Sequence, residues 1–473
     1  MLALLRFLTT GLILHFGLVA GLTHAQSLPE PVIASLQSAN IPPSAIGIDV
    51  RDVNGDQPWI SWQPHVPHNP ASTMKLLTTQ TALDVLGPAY AWRTQAYTTG
   101  IRKGDVLHGD LIIKGSGDPK LVLENFWLFL RQIRIRGIRE IRGNVFLDRS
   151  AFESVDFDAA LFDGEPLRSY NAGPDALLLN FQSITYRFVP DPDYKRVRIM
   201  MDPPLAGHAV TAPRLVEGEC GDWRARLQTS FEVEGSHFRG TYAASCGERI
   251  WNVHPYHMTN NQFFGSVFRQ VWKDLGGVFK GEVSDGQVPP DAQLIAEWQS
   301  ATLAEVIRDI NKYSNNVMAR QLLLTMGAET TQSPATAESG ALMVRSSLQS
   351  RGIEAPELVV ENGSGLSRDE RISADSMGRM LVSSFRSATM PEFISSMPVA
   401  GYDGTMRRRL VDAGVARSAH IKTGLLTDVR AIAGYVLAAS GRRYSVVFFI
   451  NHALAPAGQE AQDALLQWIY EKG

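Results

Sequence analysis

One stretch, Pro70-Ala71-Ser72-Thr73-Met74-Lys75-Leu76, constrains the fold more than any other. A proline at its head suits a first helical turn, where its missing N–H is not used. From Ser72 onward, Met74, Leu76, Leu77, Thr78, Ala82, Leu83 and Leu86 predict a mostly apolar helix ending near Gly87. The i, i+3 spacing puts Ser72 and Lys75 on one face, a turn apart. Ser72 also carries a backbone N–H at the positive end of that helix. A hydroxyl, a nearby amine and a free donor are the parts of an activated nucleophile. Ser-x-x-Lys by itself is common on solvated helix faces, so the rest of the chain has to supply the context.

The chain has 473 residues, 44% of them hydrophobic and 20% charged, which exceeds one typical core and predicts more than one domain. A net charge of -3 and the lack of a basic tail argue against a nucleic-acid partner. Residues 1–25 read as a secretory signal peptide: Arg6, an apolar run from Phe7 to Leu22, and Thr23-His24-Ala25 before Gln26. The run is short and interrupted by Thr9, Thr10 and His15, so a permanent membrane anchor is disfavoured. The mature protein is expected to be exported, periplasmic, and not stably inserted in a membrane. In such an oxidising compartment the two cysteines, Cys220 and Cys246, are most simply a disulfide. His254 and His257 lack the helical spacing and companions of a zinc site, so no metal is expected, and no cofactor.

Ile46 to Val50, an Asn54-Gly55 turn and Pro58 to Trp62 predict a β-hairpin before the Ser72 helix. From about Trp92 short strands and turns take over, with Gly115-Ser116-Gly117-Asp118-Pro119 as a tight turn; it lacks the Gly-Lys-Ser/Thr of a phosphate loop. Leu121 to Ile135 reads as a helix, Gly143 to Leu147 as a strand. Arg131, Arg134, Arg136, Arg139 and Arg142 would suit an anionic glycan or phospholipid, but a solvated helix face is the commoner reading and is preferred. Strands continue through Tyr186 to Val189 and Val197 to Met200, and a helix covers about Asn260 to Leu275. Helices resume at Leu303 to Ile310 and Asn316 to Met326. Strands at Val429 to Ala438 and Tyr444 to Ile450 and a helix at Gln459 to Tyr470 close the chain. The expectation is one α/β domain in two sequence pieces, 26–91 and 291–473. A β-rich insertion over 92–290, organised as two subdomains, separates them.

Two further motifs accompany the first. Ser314-Asn315-Asn316 lies in a turn opening a helix, and Lys422-Thr423-Gly424 on the first late strand. The ordered set Ser-x-x-Lys, Ser-x-Asn, Lys-Thr-Gly is the signature of penicillin-recognising serine acyltransferases. Together with Gly109 to Pro119, Tyr170-Asn171-Ala172, Gly363-Ser364-Gly365-Leu366-Ser367-Arg368 and Gly404-Thr405, it resembles the low-molecular-mass class C penicillin-binding proteins. These are D-alanyl-D-alanine carboxypeptidase/endopeptidases of the DacB type. The resemblance covers nearly the whole mature chain and implies the penicillin-recognising transpeptidase/β-lactamase-like fold, with peptidoglycan stem peptides and β-lactams as ligands.

It also implies roles. Ser72 would attack the carbonyl between two D-alanines and Lys75 would take its proton, which requires a neutral amine in place of one titrating near about 10.4. Burial and a neighbouring cation, Lys422, would lower that value. Ser314 would relay a proton to the departing amine and Asn316 would position the acyl side. Lys422 and Thr423 would hold the terminal carboxylate, with Gly424 beside them in the substrate-binding set. The N–H groups of Ser72 and Leu425 would form the oxyanion hole. Relatives usually carry Thr or Ser where this chain has Leu425. The lost hydroxyl argues against a strict carboxypeptidase preference and gives cross-link endopeptidase activity more weight. Asp163 could meet a diaminopimelate amine, but a turn-capping role is preferred. A β-lactamase with an enlarged cleft would have to release its acyl group rapidly, and a peptidoglycan-binding scaffold would bind without releasing D-alanine. The insertion argues against the first, the full set of motif side chains against the second.

Overall fold

The computed structural model describes residues 28–331 and 334–473. The leader expected over 1–25 lies outside them. At the centre is a five-stranded sheet in the order Ala419–Leu426, Val429–Leu437, Arg443–Asn451, Ile46–Asp52, Pro58–Trp62. Every neighbouring pair is antiparallel. The first strand of the chain therefore sits inside the sheet, Ile46 opposite Ile450 and Asp52 opposite Tyr444. Such a strand is buried on both faces: Ile46, Ile48 and Val50 are fully buried on one, and on the other Asp49 is buried in an ion pair with Arg51 at 2.7 Å.

Alternation along these strands feeds two cores. Ile432, Val436, Val446, Phe448 and Ile450 face one side, where helices Glu30–Ser38 and Gln459–Lys472 contribute Val32, Leu36, Leu465 and Ile469. Ala431, Ala433, Tyr435, Val447 and Phe449 face the other. There they meet helices Met74–Val85, Leu303–Tyr313, Asn316–Thr331, Ala337–Ser350 and Ala374–Phe385. The Met74–Val85 helix is buried on all sides from Met74 to Leu83, Thr78, Thr79, Gln80 and Thr81 included, as a helix enclosed by other helices must be. It stops at Leu86, and Gly87 takes a left-handed conformation (φ 78°) just beyond. The hydrophobic pattern does not single out the Ala337–Ser350 and Ala374–Phe385 helices. They start on side-chain caps, Thr336 accepting from Ser339 N and Ser373 from Ser376 N.

The inserted region carries three sheets. One is Val283–Asp285, Val145–Asp148, Leu111–Lys114, Ala91–Thr98, Gln293–Thr302. Gln293–Thr302 pairs with Ala91–Thr98, so this sheet extends past residue 290 on the C-terminal side. A second, small sheet joins Ile101–Lys103, Val106–His108, Glu140–Ile141 and Val278–Phe279. A third is built around Ile184–Asp191, Arg196–Asp202 and Gly235–Ala243. Helices Leu123–Ile135 and Asn260–Asp274 join all three in one buried cluster that includes Leu107, Ile113, Phe126, Tyr186, Phe264 and Trp272. Cys220 and Cys246 form a disulfide within it, across a separation of 26 residues. The expected single basic helix face is not formed. The helix ends at Ile135, and Arg134 turns inward over the Trp272 ring to donate to the Ile138 and Leu275 carbonyls. Arg139 pairs with Asp105 and Arg142 with Glu140.

Candidate active site

Ser72 lies in a single 3₁₀ turn, Ala71–Thr73, that leads directly into the Met74–Val85 helix. Thr73 Oγ1 donates to Pro70 O at 2.7 Å and Ala71 N to Asn69 Oδ1 at 2.8 Å, which fixes the turn at its mouth. One turn further, Lys75 is completely buried. Its Nζ lies 2.9 Å from Ser72 Oγ and 2.5 Å from Asn316 Oδ1, and it also donates to the Ser364 carbonyl.

Ser314 and Asn316 come from the junction of two helices. Ser314 caps Leu303–Tyr313 in a left-handed conformation (φ 56°), and Asn315 Oδ1 accepts from Met318 N to start the next helix. That reversal turns Ser314 toward the late strand: Lys422 Nζ donates to Ser314 Oγ at 2.9 Å and to Thr423 O at 2.6 Å. Thr423 Oγ1 donates to Thr405 Oγ1 at 2.8 Å. Gly424 lets the strand lie against the serine turn, because a Cβ there would sit 2.8 Å from Pro70 O and 3.0 Å from Ala71 Cβ. Leu425 projects outward, 59% exposed. The expected site residues thus come together in two hydrogen-bonded groups, Ser72–Lys75–Asn316 and Ser314–Lys422–Thr423, joined by the Ser314 to Asn316 turn and by the approach of Gly424 to Pro70 and Ala71, with Leu425 next along the strand.

The electrostatics follow from burial. Lys75 is held well below the ordinary lysine range, first by burial, then by the charge of Lys422 and, more weakly, of Arg320; the Glu370 carboxylate opposes them. Lys422, also fully buried, is brought down to about 7 by desolvation. A neutral amine carries two N–H donors and one lone pair. The oxygens of Ser364 and Asn316 can only accept from it, so both N–H groups are used there and the lone pair is left for the Ser72 hydroxyl. That is the geometry of a base poised on a serine.

Asp163 does not offer a free carboxylate. Oδ1 accepts from Glu165 N and Asn171 Nδ2, and Oδ2 from Tyr170 Oη at 2.9 Å, a turn cap. The Gly363 to Arg368 loop is more than a border, since it supplies the Ser364 carbonyl. Thr405, Ser364, Arg320 and Glu370 are the neighbours that the three motifs do not name. Two of them lie inside stretches the sequence marks, Gly404-Thr405 and the Gly-Ser-Gly loop; Arg320 and Glu370 carry no local signal.

The profile of the D-Ala-D-Ala carboxypeptidase 3 (S13) family matches residues 29–472. The chain belongs to this family. It is a serine-type D-Ala-D-Ala peptidase of the DacB-type, class C penicillin-binding proteins. The D-alanyl-D-alanine carboxypeptidase of Actinomadura sp. (strain R39) is 27% identical over 458 residues, spanning 93% of this chain and 83% of that protein. D-alanyl-D-alanine carboxypeptidase DacB of Haemophilus influenzae is 25% identical over 435 residues, 90% of this chain and 87% of its own. The crystal structure of penicillin-binding protein 4 from H. influenzae has the same fold, with a TM-score of 0.77 at 23% identity. It covers 93% of this chain and 99% of that one. A predatory endopeptidase from Bdellovibrio bacteriovorus, solved acylated by penicillin G with an immunity protein, shares the fold more distantly (TM-score 0.51, 16% identity, 89% and 91% coverage).

Proposed function

We propose that Ser72 is the nucleophile of this DD-peptidase and Lys75 its general base. The observation that carries this is the Lys75 amine, buried and 2.9 Å from Ser72 Oγ, with two acceptors holding its other protons. In the acylation step Ser72 Oγ attacks the carbonyl between two D-alanines while its proton passes to Lys75 Nζ. The tetrahedral oxyanion sits between the N–H groups of Ser72 and Leu425, an effect worth about 2.7–4 kcal/mol per donor. As the C–N bond breaks, Ser314, held by Lys422, relays to the leaving amine the proton that Lys75 took from Ser72, which leaves Lys75 neutral and Ser314 protonated again. Water then releases the acyl group from Ser72. Asn316 orients the acyl chain, and Lys422 and Thr423, on the Ala419–Leu426 strand, hold the carboxylate.

Leu425, exposed and without a hydroxyl, leaves the carboxylate side of the groove less selective. This supports cleavage of D-Ala–diaminopimelate cross-links beside terminal D-alanine removal. The disulfide and the leader pattern at 1–25 support a periplasmic location, with peptidoglycan stem peptides as substrate and β-lactams as inhibitors. Among the described residues no helix is long and apolar enough to cross a membrane, and no group of three or more His, Cys, Asp or Glu is placed to hold a metal. The catalytic domain is formed by 26–91 and 291–473 around the central sheet, with 92–290 as the accessory insertion; strand pairing favours moving its end to Thr302.

Labelled penicillin should attach to Ser72, and Lys75→Ala should not be labelled while keeping its fold by circular dichroism. A Ser72→Ala protein labelled like the wild type would sink the assignment. Incubation with cross-linked muropeptides, followed by mass separation, reads the balance of the two cleavages.

A further inference from the structure

The third partner of Lys75, the Ser364 carbonyl, belongs to a loop built around a buried carboxyl group. Glu370 is fully buried, and its Oε1 accepts three consecutive backbone N–H groups, from Glu361 (3.2 Å), Asn362 (3.1 Å) and Gly363 (2.9 Å). A carboxylate accepting several backbone donors is a strong anchor in a low-dielectric interior. Asn362 extends the anchor by one residue: its Oδ1 accepts from Ser364 N at 2.9 Å and Ser364 Oγ at 2.6 Å, while its Nδ2 donates to Leu366 O. The loop is also tied to the catalytic helix, where Thr78 Oγ1 donates to Gly363 O at 2.7 Å. Its far side meets the serine turn through Asn69, which donates to Ser367 O and accepts from Ala71 N. The second oxygen of Glu370 is buried and finds no hydrogen-bond partner among the described residues, an arrangement that hydrogen bonding alone does not require.

We propose that Glu370 is a positioning residue for acylation: by pinning residues 361–363 it fixes the Ser364 carbonyl, which aims the Lys75 amine at Ser72. This rests on Lys75 being the base. Without the Ser364 oxygen one N–H of the neutral amine loses its acceptor, and the lone pair is free to turn away from Oγ. Misplacement of a reacting group by about 1 Å can cost on the order of 10²-fold. The charges around the amine come from every side: Lys422 on the late strand, Arg320 on the Asn316 helix and Glu370 on this loop. Glu370 opposes the two cations around the amine, but burial raises its own pKa, so its part here rests on the three backbone N–H groups that it accepts.

The test is stopped-flow acylation of the full chain by a reporter penicillin, with Glu370→Ala, Glu370→Gln, Asn362→Ala and Lys75→Ala. Glu370→Ala should lower the first-order acylation constant about 10²-fold and leave the non-covalent dissociation constant of the penicillin unchanged. Glu370→Gln keeps an acceptor oxygen of the same shape and should restore most of the rate. A folded Glu370→Ala protein acylating at the wild-type rate overturns the inference, as does a Gln variant no faster than Ala. If Glu370→Ala fails to fold, Asn362→Ala decides: it should show the same split, and full-rate acylation there overturns the proposal. Should Lys75→Ala acylate normally, the general-base assignment fails. Should Lys75→Ala be inert while the Glu370 and Asn362 variants keep the full rate, only the positioning role fails.

Discussion

In the proposed mechanism two wholly buried lysines do opposite jobs, and their protonation would set the pH range of the reaction. Lys75 has to be neutral to accept the Ser72 proton. Burial and the nearby Lys422 charge hold its pKa well below the ordinary lysine range, which favours that form, and acylation falls as pH drops through the depressed value. Lys422 has to be charged to hold a carboxylate, and burial alone brings it to about 7. In the free protein, capture therefore falls as pH rises through about 7. The second-order acylation constant of a carboxylate-bearing penicillin should be bell-shaped, its basic limb near pH 7. At saturating penicillin the bound carboxylate favours the Lys422 ammonium, so that limb should move to higher pH. A limb at the same pH in both regimes would show that Lys422 does not hold the carboxylate.

At the scale of elements, the site depends on how closely three segments can approach the Ser72 turn. Gly365 is the tightest point: its φ is 78°, and a Cβ would fall 1.9 Å from Ala71 O and 2.6 Å from Ser72 N. Gly365→Ala should cost at least about 1–3 kcal/mol for the left-handed backbone alone. It should also push the loop off the serine turn. A lower denaturation midpoint together with slower acylation is expected; a stable, fully active variant would mean that the loop does not need this approach. The Asn316–Thr331 helix extends the same dependence into the insertion. Arg320 donates to the Tyr170 and Ala172 carbonyls, Gln321 Nε2 to the Gly117 and Asp175 carbonyls, and Trp92 Nε1 to Thr325 Oγ1. The helix that presents Asn316 is thus seated on inserted residues.

Over the whole molecule, every residue of the site comes from the outer pieces of the chain, while the disulfide lies in the third sheet region of the insertion. Double replacement of Cys220 and Cys246 by serine should lower stability by about 2–4 kcal/mol, read as a shift in urea midpoint. Acylation of Ser72 at room temperature should stay unchanged; a loss of acylation in the folded variant would mean that the insertion shapes the groove through this bridge. The central sheet and its terminal helix were legible in the sequence because apolar runs bounded by turns are local signals, as with Ile46 to Val50 before Asn54-Gly55 and Val429 to Ala438 before Gly441. The three motifs were legible for a similar reason: Ser72 and Lys75 share a helix face by spacing alone, whatever the rest of the chain does. What the one-dimensional pattern could not contain is which distant groups close around that face. The pairing of Ile46–Asp52 with Arg443–Asn451 brings the two outer pieces of the chain together. Helix packing then lowers Asn316 onto Lys75, and a loop pinned by Glu370 delivers a carbonyl to the same nitrogen. Burial depends on neighbours far apart in the chain. The depressed pKa values that make the chemistry work were therefore decided by tertiary structure, and the residue types that use them by the sequence.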